Sequence, residues 1–183
     1  MPLQPHHRRR LASLLLASIA ALGVVGKAQE VAPRPVLDDR LPMRELTLAN
    51  GVKVIADINY AVVPGFRPFT LDVYLPGSAP KAGVLGAPLL LFIHGGGWSA
   101  GHSRQSAAFA DWPGVLASFA ARGYVVASLN YRLSGEAPAP AAIHDVKNAV
   151  RWLRAHAERF AIDPQHVGVF GGSAGGQLAA LLG

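Results

Sequence analysis

The 183-residue chain contains no cysteine. Without thiols it has no disulfide framework, no cysteine-ligated metal or iron–sulfur site, no cysteine nucleophile and no lipidated cysteine. The chain is also poor in charge, because charged residues make up 15% of it and hydrophobic residues 51%. This composition is too apolar for intrinsic disorder and is typical of a globular chain with a sizeable core.

Acidic residues are absent from residues 1–28, a stretch that holds Arg8, Arg9, Arg10 and Lys27. These four account for most of the net charge of +6, which is 17 basic minus 11 acidic residues. Without them the balance is 13 minus 11, or +2. A body so close to neutral gives no reason to expect a nucleic-acid partner or attraction to a membrane surface.

A long hydrophobic run is also missing. The apolar stretch Leu11–Val25 has 15 residues, whereas a membrane span needs about 20. It follows Arg8–Arg10 and precedes the small-residue site Gly26–Ala28, the layout of a secretory signal peptide. We therefore expect residues 1–28 to be removed by cleavage near Ala28, giving an exported periplasmic or extracellular protein without a stable membrane anchor. The basic run leaves the Sec and twin-arginine routes both open.

Residues 29–43 are rich in proline and charge and are expected to form a flexible lead-in to a domain over 44–183. Asn50-Gly51 within 46–60 predicts a β-hairpin. Further strands are predicted at 71–75, 89–93, 124–129 and 167–170, and helices at 113–122, 141–160 and from 177 onward. The alternation of strand and helix from residue 89 predicts an α/β fold with a mostly parallel sheet and helices on both faces.

The run Gly171-Gly172-Ser173-Ala174-Gly175 follows a predicted strand and precedes a predicted helix. It fits the nucleophile-elbow pattern Gly-x-Ser-x-Gly, in which a sharp turn exposes a serine hydroxyl and leaves no room for neighbouring side chains. The following helix directs its N-terminal amides toward the serine, where they favour negative charge. Ser173 is therefore the candidate nucleophile.

A second motif, His94-Gly95-Gly96-Gly97, also follows a predicted buried strand. Its glycine amides, with the amide of Ala174, are candidate donors to the oxyanion of an acyl-transfer reaction. The next residue, Trp98, either lines the acyl pocket or packs in the core. The two motifs together, in this order and context, predict a serine hydrolase.

These motifs resemble the α/β-hydrolase fold on its hormone-sensitive-lipase-like carboxylesterase branch. Within that branch, residues 44–183 resemble the bacterial family related to bifunctional feruloyl and acetyl-xylan esterases (BD-FAE-like). The stretches that carry the resemblance are 94–98, 123–133, 145–153, 162–164 and 171–176.

The resemblance implies that Ser173 is the nucleophile and that the amides of Gly95, Gly96 and Ala174 form the oxyanion hole. Gly172 favours the feruloyl/acetyl-xylan branch, because many lipase-like relatives carry an acid there. The implied substrate is a small-molecule or polysaccharide-linked ester, and the implied reaction uses no cofactor and no metal.

In this fold the catalytic acid and histidine follow the serine, but the ten residues after Ser173 include no Asp, Glu or His. His144 and Asp145 are a poor substitute, since adjacent helix positions point about 100° apart, and the resemblance makes Asp145 structural. His94 is expected to support its motif. We therefore expect the chain to be the N-terminal part of the enzyme, truncated after the elbow and inactive alone.

Two other functions remain open at this point. One is a serine peptidase of the same fold, although Gly-Trp-Ser-Tyr-Gly would be a more typical elbow for it than the sequence at 171–175. The other is a truncated remnant without catalytic activity.

Overall fold

The computed structural model describes residues 44–78 and 86–183, so the predicted signal peptide and lead-in lie outside the described residues. The described elements are β1 (Arg44–Thr47), β2 (Lys53–Ala61), β3 (Phe69–Leu75), β4 (Ala87–Ile93), α1 (Trp112–Ala120), β5 (Val125–Leu129), α2 (Ala141–Ala155), a 3₁₀ turn (Glu158–Phe160), β6 (Ile162–Gly171) and α3 (Ala174–Ala180). Within these ranges, no helix has the length and hydrophobicity needed to cross a membrane.

The strands form one sheet in the order β1-β2-β3-β5-β4-β6. β1, β2 and β3 form an antiparallel ribbon that joins β5, whereas β4 runs parallel to β5 on one side and to β6 on the other. The predicted hairpin is confirmed, because β1 and β2 pair across Asn50-Gly51. The predicted alternation of strand and helix from residue 89 is confirmed as well, and it builds the parallel core.

Helices cover both faces of this core. Leu89, Leu91 and Ile93 of β4 are buried on the face that packs against α2 and α3. Phe92, which points to the other face, packs in the cluster that contains α1. This inside–outside alternation follows from the two-residue period of a strand. Each fully buried leucine or isoleucine contributes about 1.5–3 kcal/mol of transfer free energy.

The predicted helix 141–160 is wrong at its end. α2 stops at Ala155, and Ala161, with a φ of 51°, closes the short 3₁₀ turn that follows. Phe160 is nevertheless buried, with 2% of its surface exposed. Because the apolar periodicity continues to Phe160, the sequence gives no sign that the helix ends earlier. β6 is longer than predicted, because Ile162 and Asp163 pair with Ala87 and Pro88 before a register irregularity.

The topology brings both sequence motifs to the same edge of the sheet. β4 and β6 are parallel neighbours, and their last residues, Ile93 and Gly171, are paired. The glycine-rich loop that begins at His94 and the turn that contains Ser173 therefore lie side by side. In open α/β sheets, ligands bind at this carboxyl edge of the strands.

Candidate active site

Ser173 lies at the tip of the sharp turn between β6 and α3, with φ 52° and ψ −122°. This backbone conformation is strained for a residue that has a side chain, and the residue is exposed. The flanking glycines are required by space. A Cβ on Gly171 would lie 2.5 Å from the carbonyl oxygen of Ile93, and one on Gly175 would clash with the same oxygen. The turn has the geometry of a nucleophile elbow.

The glycine-rich loop lies against this turn. A Cβ built on Gly95 would lie 3.6 Å from the Cβ of Ser173 and 2.8 Å from the carbonyl oxygen of Gly172. The amides of Gly95, Gly96 and Ala174 donate no hydrogen bond to any other described residue. Unpaired amides beside an exposed serine hydroxyl are the arrangement needed to stabilise an oxyanion.

Ser173, Gly95 and Gly96 line a common cavity of about 620 Å³. Phe92 lies in its lining, and the segment 104–110 forms one wall. The described lining includes no histidine and no carboxylate. The cavity therefore brings the candidate nucleophile Ser173 together with the amides of Gly95 and Gly96, and its described lining holds no proton acceptor of the kind that a serine mechanism requires.

The side chain of His94 packs beneath the glycine-rich loop and contacts Tyr131 and Gly95. Its buried ring stacks on Tyr131 with a centroid distance of 4.2 Å, and the Tyr131 hydroxyl donates to the His94 carbonyl at 3.0 Å. His94 Nδ1 lies 2.7 Å from the carbonyl oxygen of Gly95. The C=O of Gly95 and the N–H of Gly96 belong to one trans peptide unit and point in opposite directions. A bond from Nδ1–H to that carbonyl therefore orients the Gly96 amide.

Stability should fall at acidic pH because of His94. Burial is the main cause that lowers the pKa of His94 below its ordinary value of 6.5, against the raising effect of the Gly95 carbonyl, while His102 lowers it further. As the pH falls, His94 therefore binds a proton in the unfolded chain at a higher pH than in the folded chain. The stabilisation is fully present above pH 6.5 and is lost as the pH falls through the folded-state pKa.

The measurement is the free energy of unfolding in urea on both sides of pH 6.5 for the wild type and His94→Asn. The asparagine amide keeps a donor near Gly95 but does not titrate. We expect the acidic loss to be smaller in the variant. An identical pH dependence in both proteins would assign the loss to other groups.

Gly101 is expected to be intolerant of a side chain. Its φ is 99°, and an added Cβ would lie 2.6 Å from both the Gly95 carbonyl oxygen and His94 Nδ1. Gly101→Ala should therefore displace the loop and lower the unfolding free energy by about 1–3 kcal/mol. Gly135→Ala is the matched control, because a Cβ there meets nothing within 4 Å. Equal unfolding free energies for the two variants would contradict this account of the loop.

Trp98 lines a cavity and does not pack in the core. It is 40% exposed, so it does not pack in the core, and its φ is 59°. Trp98 lines a second cavity of about 590 Å³, together with Ile143, Leu178 and Leu181. It is not among the residues that line the Ser173 cavity. The amide of Ser134 donates to the Trp98 carbonyl at 2.7 Å. A role for Trp98 in the acyl pocket stays a prediction.

Asp145 is buried and paired with Arg132, as expected of a residue with a structural role. It is fully buried and accepts hydrogen bonds from the Arg132 amide at 2.9 Å and from Arg132 Nη2 at 2.7 Å. The Arg132 guanidinium also lies 5.2 Å from the ring centres of Phe66 and Phe69. His144 is exposed on the adjacent helix position. The two neighbours therefore face different surroundings, as the helix geometry predicted.

Sequence reasoning missed a cluster beside the cavity, formed by Asp57, Asp72 and Arg104. Arg104 donates from Nε and Nη2 to Asp72 at 2.8 and 2.7 Å, and from Nη2 to Asp57 at 2.6 Å. One signal was available, because Asp72 is the single charged residue in the strand sequence FTLDVYL. A carboxylate in a buried strand requires a partner.

The parallel core, the strained serine turn and the adjacent glycine-rich loop together define an α/β-hydrolase. The family model named BD-FAE matches residues 71–183. The chain belongs to the BD-FAE family, which confirms the resemblance seen in its motifs.

Known relatives agree with this classification. The chain is 42% identical to esterase LipC of Mycobacterium tuberculosis over 53% of this chain and 23% of that protein. It is 39% identical to arylacetamide deacetylase of Oryctolagus cuniculus over 75% of this chain and 34% of that protein. A solved structure of esterase 2 from Thermogutta terrifontis, phosphorylated by paraoxon, has a TM-score of 0.58 at 31% identity and covers 71% of this chain and 46% of its own. The chain thus spans about a quarter to a third of the length of these two curated relatives.

Proposed function

We propose that the whole protein is an exported carboxylic-ester hydrolase that works through an acyl-enzyme on Ser173. The observation that carries the proposal is the strained, exposed Ser173 beside unpaired amides in one cavity. The relatives support the ester class, because LipC is an esterase. The paraoxon-phosphorylated esterase of Thermogutta terrifontis supports a reactive nucleophile in this fold.

In the first half-reaction, Ser173 Oγ forms a bond to the ester carbonyl carbon and loses its proton to a general base. The carbonyl oxygen becomes an oxyanion held by the amides of Gly95, Gly96 and Ala174. Collapse of this intermediate breaks the bond to the alcohol, which leaves with a proton. Water then attacks the acyl-enzyme by the same steps and releases the acid. Each oxyanion donor in such a site contributes about 10²–10³-fold to kcat.

The mechanism needs a base and an acid that orients it. The described cavity lining supplies neither. We place both groups in the whole protein, outside that lining, because the chain covers 23% and 34% of two curated relatives. On this proposal residues 44–183 supply the nucleophile and the oxyanion hole but do not hydrolyse esters by themselves.

Two further parts of the proposal concern location and substrate. The layout of residues 1–28 supports export. A cavity of about 620 Å³ has room for a small acyl or alcohol group. We propose a small-molecule or polysaccharide-linked ester as the substrate.

The test compares the whole protein, isolated from its natural source, on nitrophenyl acetate and on a peptide anilide. We expect measurable hydrolysis of the acetate and none of the anilide above the rate of the Ser173→Ala variant. Cleavage of the anilide alone would mean that the protein is a peptidase and not an esterase. No reaction with either substrate by a folded sample would favour a remnant without catalytic activity.

A further inference from the structure

The segment 104–110 that walls the Ser173 cavity lies in the connection between β4 and α1. Within it the backbone makes one isolated bridge, between Ser106 and Phe109, and no helix or sheet ladder. Its position relative to Ser173 therefore depends on side chains that fasten it to the sheet. Arg104 stands at the beginning of the wall and is one of the side chains that hold it.

Arg104 is fastened from two strands. Its Nε and Nη2 donate to the two oxygens of Asp72 in β3, a bidentate pair, and Nη2 also donates to Asp57 in β2 at 2.6 Å. Asp72 is 1% exposed, and Ser103 Oγ donates to it at 3.1 Å. The Ser103 amide in turn donates to Asn130 Oδ1 at 2.9 Å. Bidentate guanidinium–carboxylate pairs fix geometry as well as distance.

Asp57 occupies an irregular position in β2. The β2–β3 register shifts between Ile55 and Ile58, and Asp57 has a φ of 57°. Its amide donates to Asp72 Oδ1 at 2.9 Å. A positive φ costs a residue with a side chain about 1 kcal/mol or more, so this position is held against its own preference. The irregularity places the Asp57 carboxylate against Arg104 in place of a regular strand contact.

The charge of Arg104 suits a lasting ion pair with Asp57 and Asp72. Hydrogen bonding to Asp72 is the main cause that raises the pKa of Arg104 above its ordinary value, and the carboxylate of Asp57 raises it further. The Arg104 guanidinium therefore keeps its positive charge at neutral pH. Asp57 remains partly accessible, with 24% of its side chain exposed, so a substitution there disturbs the core less than one at Asp72.

We propose that Asp57 is a positioning residue for the ester-binding site: through Arg104 it holds the wall 104–110 at the width that the substrate at Ser173 requires. This inference rests on the proposed function, because that function identifies the ligand as an ester. The attachment of the wall 104–110 through Arg104 and Asp57 does not depend on it. Loss of the Asp57 carboxylate should loosen the wall and weaken substrate binding. The reacting groups at Ser173 and the glycine-rich loop do not touch Asp57 and should keep their geometry.

The first test measures amide hydrogen exchange in the whole protein for the wild type, Asp57→Asn and Asp57→Gly. Glycine accepts a φ of 57° without strain, so this variant loses the carboxylate without a new conformational cost. We expect exchange in residues 101–110 to accelerate about fivefold while residues 141–155 keep wild-type rates. Glu136→Gln is the matched control, because it weakens the Arg67–Glu136 pair, whose closest distance is 2.7 Å, away from the Ser173 cavity.

Unchanged exchange at 101–110 in both Asp57 variants would overturn the proposal. So would uniform acceleration across the chain, which would mean a general loss of stability, or an equal effect at 101–110 in Glu136→Gln. Exchange needs no substrate, so its result stands whether or not the protein hydrolyses esters.

The second test uses ester kinetics of the same proteins. We expect Asp57→Gly to raise KM about fivefold, with kcat within about twofold of the wild type, because uniform binding is lost and the chemistry is kept. Asp57→Asn, which retains an acceptor for Arg104, should recover part of the KM. A fall in kcat at constant KM would overturn the positioning role, whereas inactivity of the wild type would refute the proposed function and leave the exchange result to decide the fastening.

Discussion

Replacement of Ser173 by alanine in the whole protein is expected to lower kcat for ester hydrolysis by about 10⁶-fold, the order of loss seen when a serine nucleophile is removed. The reason is the loss of the attacking oxygen, while the cavity and the unpaired amides remain. The measurement is the initial rate on nitrophenyl acetate, with Ser134→Ala as a control. Ser134 is exposed on the second cavity and lies outside the lining around Ser173.

Ser173→Gly separates catalysis from folding at the same position. With φ 52° and ψ −122°, residue 173 has a conformation that glycine adopts readily and serine does not. We expect this variant to be as inactive as Ser173→Ala but more stable than it by about 1 kcal/mol in urea unfolding. Hydrolysis at the wild-type rate by either variant would exclude Ser173 as the nucleophile.

The second large effect is on stability. Asp145→Ala should lower the free energy of unfolding by about 3–5 kcal/mol, because it leaves the Arg132 guanidinium without its carboxylate in a mostly buried site. Four hydrogen bonds from Arg132 to Asp145 are lost together. The measurement is urea unfolding at neutral pH. The fraction that remains folded should hydrolyse esters with the wild-type kcat, since Asp145 lies outside the Ser173 cavity.

Glu45→Ala provides the comparison for this prediction. Glu45 pairs with Lys53 at 2.6 Å, but about half of each side chain is exposed, and exposed pairs contribute about 0–1 kcal/mol. Similar losses for the two variants would mean that burial does not control the strength of the Asp145 pair. A loss of kcat in folded Asp145→Ala would reopen a direct role of this carboxylate in catalysis.

The parallel core could be predicted from the sequence because its signals are local and agree with one another. Leu89–Ile93 is apolar on both faces, as a strand between two layers of helices must be. The glycines around Ser173 and in the loop after β4 marked the turns, and a Cβ on Gly171, Gly175, Gly95 or Gly96 would strike backbone. The neighbouring placement of the two motifs also followed, because the ends of parallel strands meet at one edge.

The parts that could not be predicted depend on contacts between distant segments. Asp57, Asp72 and Arg104 are far apart in sequence, and the irregularity in β2 that brings Asp57 to Arg104 leaves no pattern of its own. The end of α2 was missed for a different reason. Phe160 keeps the apolar period of the helix while the backbone has already changed to a 3₁₀ turn. The position of Trp98 depends on a left-handed φ that residue type alone does not indicate.

The central claim, that Ser173 is an activated nucleophile in an ester hydrolase, is tested most directly by covalent labelling. The whole protein is treated with paraoxon, its intact mass is measured, and the modified peptide is sequenced by mass spectrometry. The account predicts one phosphoryl adduct per chain, located on Ser173, and none in Ser173→Ala. A folded protein that hydrolyses esters but carries the adduct on another residue, or carries none, would contradict it.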